Sequence, residues 1–178
     1  RARGIPVVRR GELLAEVGVE RVSTNLVAAK AGVTPPTLYH YFDDKYALLA
    51  ALGMRLMEAQ NALVPLDPGQ DEGVIAKSLL DHVELTRQSP GGPWVMRMLR
   101  AGPQLAEGRL TFRRLLTGEL LKRPLALEPG QDRASLERRA RLAVDLGYAA
   151  IELVFDEPEL DSREIMQDAA RAIRALLA

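Results

Sequence analysis

The 178-residue sequence has no cysteine, which excludes disulfides, thiolate metal ligands and cysteine nucleophiles and suits a reducing compartment. It has two histidines, His40 and His82, no metal-ligand spacing and no phosphate-cradling glycine loop, so nothing in it assembles a catalytic or cofactor site. The formal net charge is zero, which argues against a polyanion binder that works by bulk positive charge alone. No apolar run approaches the roughly 18 residues a membrane span needs, and no signal-peptide pattern opens the chain, so the cytoplasm is the expected compartment. The chain starts at Arg1 rather than Met, and a few residues are expected to precede it. Strict apolar/polar alternation is not sustained anywhere, which removes the strand signal.

What is present is helix. Apolar residues make up 47% of the chain, enough for one sizeable core or a small domain fused to a larger one, and they recur at three- and four-residue spacing. The expected fold class is all-α. Charge is spread unevenly: through Asn61 there are 8 Lys+Arg against 6 Asp+Glu, and beyond it 16 against 18. The small positive excess sits at the N-terminal end.

A first helix is expected over 6–17, with Pro6 in its first turn and Gly18 at its close. Ser23 caps a second, running through Lys30 and stopping at Gly32. Thr34 precedes Pro35, which keeps it extended and lets its hydroxyl cap a third helix, while Pro35 and Pro36 fill first-turn positions whose N–H groups would have no partner in any helix. Leu38 then faces the core, and Thr37, Tyr39 and His40 point outward. Two short helices joined by a glycine turn, followed by an aromatic, hydrogen-bonding surface, have the form of a helix-turn-helix.

The stretch Leu13 to Leu52, LLAEVGVERVSTNLVAAKAGVTPPTLYHYFDDKYALLAAL, resembles the DNA-binding domain of the TetR family of one-component bacterial transcriptional regulators. The resemblance rests on Gly18, the hydroxyl pair Ser23 and Thr24, Ala31 to Val33 at the turn, Thr37 to Tyr39, the aromatic pair Tyr41 and Phe42, and Lys45. It covers about a quarter of the chain directly. It implies about nine helices, with a three-helix DNA-binding domain over 1–50 and a ligand-binding and dimerisation domain over 51–178, connected by a helix from about 45 to 64. Operator DNA, a second copy of the chain and an unidentified small-molecule effector are the implied partners, with no cofactor, no membrane and no enzymatic activity. The implied mode is repression, relieved when a small, mainly apolar ligand releases the operator.

Groove geometry assigns roles within that resemblance. Residues at the start of a recognition helix meet base edges, which places Pro35, Pro36, Thr37 and His40 there, the prolines touching thymine methyl groups, with Thr34 counted among the DNA-binding residues as their cap. Thr24 and Asn25 approach a phosphate, Asn25 also within reach of a base, and Tyr39, Tyr41 and Lys45 suit phosphates. Asp44 fits as the cap of the helix that Lys45 opens, whereas Asp43 has no such reason beside a phosphate backbone. Arg9 and Arg10 fit either phosphate contact or a solvated face, and Tyr41 and Phe42 fit either the DNA face or the core.

The helix from Lys45 is expected to reach about Val64 and to use Leu48, Leu49, Leu52, Leu56 and Leu63 as its buried side. Five further helices are expected over 71–88, 93–100, 104–123, 132–155 and 161–177, separated by SPGGP, Gly102 with Pro103, RPLALEPGQD and DEPELDS. In the family the last two helices form an intersubunit four-helix bundle, which here implies an interface from Leu136, Ala143, Gly147, Ala150, Ile151, Val154, Met166, Ala169, Ala170, Ile173, Leu176 and Leu177. The same spacing also suits packing within one chain. The three helices before them would enclose the ligand, with His82, Trp94, Arg97, Met98, Phe112 and Leu116, together with Leu79, Val83 and Leu115, as wall. Met, Trp and Phe at helical spacing equally suit a plain core, and His82 a simple hydrogen-bonded position. A rival reading keeps the fold but uses it as a protein-interaction module without operator binding, motivated by the low net charge and by Asp43.

Overall fold

The computed structural model describes residues 34, 36–37, 40, 42–64, 70–89, 91–101, 103–122 and 132–178. The helices expected over 6–17 and 23–30, with Thr24 and Asn25, lie outside them. The described residues are all-α: six helices, one 3-10 turn and no strand. In chain order the helices are α1 (Lys45–Asn61), α2 (Glu72–Gln88), α3 (Gly92–Ala101), α4 (Ala106–Leu121), α5 (Arg133–Asp156) and α6 (Ser162–Leu177), with the 3-10 turn Pro103–Leu105 before α4.

Four of the six starts are set by an aspartate side chain. Asp44 Oδ1 accepts from the Ala47 N–H at 2.8 Å and Asp71 Oδ1 from the Val74 N–H at 3.0 Å. Asp132 caps α5 by accepting from the Ser135 N–H, and Asp161 caps α6 by accepting from the Arg163 N–H at 2.7 Å. Each such cap is worth about 1 kcal/mol and stabilises the helix N-terminus with a negative charge as well. The stop of α1 is earlier than expected. Leu63 N–H donates to Gln60 C=O at 3.0 Å and Val64 N–H to Asn61 C=O at 3.2 Å, so the chain tightens into three-residue turns after Asn61. Leu63 is thereby thrown outward, 38% exposed, and is not the buried tie expected of it, whereas Leu48, Leu49, Leu52 and Leu56 are buried.

The break between α2 and α3 is the tightest in the chain. Ser89 N–H and Oγ both donate to Leu85 C=O, at 2.9 and 2.7 Å, and Gly92 N–H donates to Ser89 C=O at 2.8 Å. Gly91 takes φ 68°, and a Cβ on Gly92 would stand 2.0 Å from the Thr86 carbonyl oxygen, so both positions require glycine.

The described chain divides into two compact units. One holds the residues up to Glu58 together with Leu85–Arg109, the other Ala59–Glu84 together with Leu110–Ala178. Within the first, α3 lies directly on α1: a Cβ on Gly53 would come 2.5 Å from Leu99 Cδ2. Within the second, α5 and α6 pack along one another.

That packing corrects the expected intersubunit stripe. Leu136, Ala143, Gly147, Ala150, Ile151 and Val154 of α5, and Met166, Ala169, Ala170 and Ile173 of α6, are buried within the single chain, while Leu176 and Leu177 are half-buried. Their small side chains permit the close approach of the two helices to each other. A different line of α5 faces outward. Leu142 is 52% exposed, Ala149 exposed, and Leu146 and Leu153 half-buried, at steps of four, three and four residues.

Candidate functional site

The segment assigned to base contact is described in part. Pro36 and Thr37 are helical, and Thr34, Pro36, Thr37 and His40 are all exposed. The Thr37 N–H points at Thr34 Oγ1 at 3.4 Å, the two threonine hydroxyls lie 2.9 Å apart, and His40 N–H donates to Pro36 C=O at 3.0 Å. The turn is therefore a capped helix start with hydroxyls and an imidazole on its open side. Phe42 is half-buried and Asp43 exposed. Pro35, Tyr39 and Tyr41 lie outside the described residues. Lys45 is the first residue of α1, and its side chain also lies outside them.

The second site is a cavity inside the unit formed by Ala59–Glu84 and Leu110–Ala178. Its free interior volume is about 80 Å³, smaller than a typical small-molecule site, and it opens in part to solvent. Ile75 and Leu79 of α2, Leu116 and Leu120 of α4, Ala143, Val144, Gly147 and Ile151 of α5, and Ile173 and Leu177 of α6 form its apolar wall, with Val64 beside them. Three polar residues reach it: Ser78, His82 and Tyr148. Among the described residues, no charged side chain lines it.

All three polar groups are committed to protein partners. Ser78 Oγ donates to Leu63 C=O at 2.9 Å, and Tyr148 OH donates to Asn61 Oδ1 at 2.8 Å. His82 Nδ1 carries its proton, because it lies 2.6 Å from Ser78 C=O and a carbonyl can only accept. Burial holds the His82 pKa below its usual 6.5, outweighing backbone hydrogen bonds to Ser78 and Gln60 and the nearby Asp81 charge. The imidazole is neutral at pH 7. Burial also pushes the Tyr148 phenol well above its usual value, against the pull of Arg113, so it remains a donor. Behind the Tyr148 ring the Arg113 guanidinium sits 4.7 Å from the centroid and bonds Asp145 at 2.9 Å and Glu152 at 3.2 Å. That ion cluster braces α4 against α5, and Tyr148 presents its ring and hydroxyl rather than a charge to the cavity.

Of the residues expected around a ligand, His82, Leu79 and Leu116 line this cavity. Trp94, Arg97, Met98, Phe112, Val83 and Leu115 are not among its lining residues. Trp94, Arg97 and Met98 belong to the unit that contains the start of α1, where Arg97 lies over the Trp94 ring at 5.7 Å. Leu115 is 57% exposed, because the Leu115 and Leu116 positions of α4 face opposite ways and only Leu116 turns inward. Residues assigned on sequence to an intersubunit surface, Ala143, Gly147, Ile151, Ile173 and Leu177, instead make cavity wall. Ser78, Tyr148 and Asn61 were not expected. Tyr148, the lone aromatic in a small-residue stretch, was the available signal.

Residues 12–52 match the family model described as bacterial regulatory proteins, tetR family. Over that stretch the chain is similar to the tetR family. Solved TetR-family structures share its fold across nearly its whole length. A transcriptional regulator from Streptomyces coelicolor is 19% identical with a TM-score of 0.74, over 96% of this chain and 80% of that one. A TetR regulator from Rhodococcus sp. is 19% identical with a TM-score of 0.64, over 97% of this chain and 93% of that one. The repressor AlkX from Dietzia sp., implicated in biodegradation of n-alkanes, is 20% identical with a TM-score of 0.63, over 97% and 94%. Among curated proteins, none matches the chain. No helix among the described residues is long and apolar enough to cross a membrane.

Proposed function

We propose that this chain is a cytoplasmic, non-enzymatic TetR-family repressor that binds operator DNA as a homodimer and is released by a small, mainly apolar effector. The observation that carries the reading is the family match at 12–52, which contains the capped, exposed Thr34 to His40 turn. Three helices before α1 give the nine of the family pattern, with 1–50 as reading head and 51–178 as ligand-binding and dimerisation body. Pro35, Pro36, Thr37 and His40 read base edges, Thr34 caps their helix, and Thr24, Asn25, Tyr39, Tyr41 and Lys45 hold phosphates. The effector occupies the cavity of His82, Leu79 and Leu116. The second copy packs on the outward line of α5, Leu142, Leu146, Ala149 and Leu153, whose spacing is that of a helix–helix seam, beside Ile165, Ala172 and Leu176 of α6.

The test is selection of duplexes from a random pool, followed by gel shifts on the enriched sequence. Lys45→Ala should weaken all sequences alike and flatten the salt dependence by about one unit for each phosphate no longer neutralised, twice that in a dimer. Thr37→Ala should relax preference at one position per half-site, and Leu142→Glu should yield monomers that bind the full site poorly. The exposed Asp43 and the zero net charge favour one rival, a protein-interaction module. Failure of any duplex to be enriched would leave that rival standing and refute the repressor.

A further inference from the structure

Within the same unit as the apolar cavity, α2 and α6 flank a separate groove. Its free volume is about 410 Å³, against about 80 Å³ for the cavity, and lies in the usual range for small-molecule sites. Arg174 Nη1 donates to Gln70 C=O at 3.2 Å and Arg171 Nε lies 3.9 Å from Glu72 Oε2, so the chain entering α2 lies beside the last turns of α6. The two helices therefore run antiparallel. On that register Lys77 of α2 comes level with Arg163 and Gln167 of α6, while Gly73 and Ala76 form an aliphatic floor toward Glu72 and Arg171.

Three of the lining side chains are cations, Lys77, Arg163 and Arg171, and one is a carboxylate, Glu72. Lys77 is held by Asp81 at 2.6 Å, and Arg171 is shared between Asp168 at 3.2 Å and Glu72. These pairs are largely exposed to solvent and hold little free energy, so either cation can turn to another anion at small cost. The Arg163 guanidinium has no partner among the described residues, since the bond of Arg163 to Asp161 is made by its backbone N–H. A guanidinium fork beside an ammonium and an amide suits an oxyanion, and the aliphatic floor suits a short carbon body. We propose that this groove binds a small organic oxyanion, a phosphate ester or a carboxylate, with its head among Lys77, Arg163 and Gln167 and its body over Ala76 and Gly73. The Glu72 carboxylate at the far end repels a second anionic group, which selects a ligand with one charged head. The groove also stays open in a dimer formed on α5. On α6, Ile165, Ala172 and Leu176 lie to one side of the buried stripe of Met166, Ala169, Ala170 and Ile173, and Arg163, Gln167 and Arg171 lie to the other.

The probes are hexyl phosphate, heptanoate, hexanol and hexylammonium, with binding to the full chain read by calorimetry at about pH 7.5 and about 50 mM salt. At least one of the two anions should bind, the tighter of them naming the head group, and hexanol and hexylammonium should bind at least tenfold more weakly. Raising the salt to about 500 mM should weaken the anion several-fold, because the charges that hold it are exposed. Arg163→Glu should weaken it at least tenfold and Lys77→Gln several-fold. Both side chains are exposed, and an acidic residue in the first turn of α6 suits the helix N-terminus, so these variants should keep the parental helical circular dichroism. Arg138→Glu makes the same change of net charge as Arg163→Glu at an exposed position outside the groove, and should leave binding within about twofold. Binding of neither anion, hexanol bound as tightly as the anions, an Arg163→Glu chain with undiminished affinity, or an equal loss from Arg138→Glu would overturn the site. A chain that enriches no duplex but binds the anion through Arg163 would refute the repressor and leave this inference intact.

Discussion

Gly147 separates two views of α5. Seen as part of an intersubunit surface it would tolerate only small residues because a second chain approaches it; in the structure it is buried and looks across the cavity wall. A Cβ there would meet Leu79 Cδ2 at 3.5 Å and Ile173 Cδ1 at 3.7 Å, ordinary contact distances that require nothing to move. Gly147→Ala therefore keeps every neighbour in place. It gains about 1 kcal/mol of helix preference, part of it through the unfolded chain, and up to about 0.8 kcal/mol from one more buried methyl. The expected net is about 1–2 kcal/mol of added stability, or about 3–6 °C in Tm for a chain of this size. Gly147→Glu does the opposite: its carboxylate enters an uncharged cavity and costs about 3–5 kcal/mol within one subunit. Urea denaturation followed by far-ultraviolet circular dichroism at several protein concentrations distinguishes the views, since a change within the subunit persists at every concentration. A destabilised Gly147→Ala, or a Gly147→Glu chain that keeps its parental folding stability but becomes monomeric, would refute the reasoning and put this face back between subunits.

Other substitutions test other parts of the fold. Because burial sets the folded pKa of His82 below its unfolded value, the unfolded chain takes up the proton first as pH falls. The neutral ring's contribution is fully present above about pH 6.5 and is lost below it, and His82→Phe should flatten the stability profile from pH 6.5 downward, measured by denaturation in a pH series. Arg113→Leu should cost about 2–4 kcal/mol by removing the part-buried bonds to Glu152 and Asp145, although Asp145 keeps Arg141 at 3.0 Å, and adding Glu152→Leu should recover part of that loss in a double-mutant cycle. Gly92→Ala drives a methyl into the Thr86 carbonyl and should cost more than about 2 kcal/mol in thermal melts, whereas Gly108→Ala, with nothing within 4 Å, should stabilise by up to about 1 kcal/mol.

Helix boundaries were legible because they are written in local chemistry. Asp44 caps where its sequence position suggested, and SPGGP breaks the chain at the one place among the described residues where a positive φ and a missing Cβ are both needed. The late end expected for α1 failed because Leu63 fits the helical spacing, and only the turn bonds of residues 60–64 show that the helix has already closed. Tertiary partners were less legible. Apolar spacing along α5 announces a buried face but not what buries it, and α5 carries two such lines, one turned toward α6 and the cavity, the other toward solvent. Trp94 drew attention by its size, whereas the cavity's polar contacts come from pairs such as Tyr148 and Asn61, 87 residues apart, which no local pattern links.

The threonine pair at the start of the reading helix sets a polarity. Thr34 Oγ1 faces the Thr37 N–H as acceptor, and the two hydroxyls, 2.9 Å apart, can bond with either as donor. Where Thr34 donates, the Thr37 proton is the one turned outward. A hydroxyl is ordinarily ambivalent, donor to one neighbour and acceptor from the next, and so discriminates poorly between base edges. Here the neighbouring threonine would resolve the ambiguity: Thr37 meets its partner as a donor, which suits the N7 of a purine or the O4 of thymine and disfavours the amino group of cytosine. Thr34, without touching a base, would thus choose the letter that Thr37 accepts, and Thr34→Val should broaden the same operator position that Thr37→Ala does.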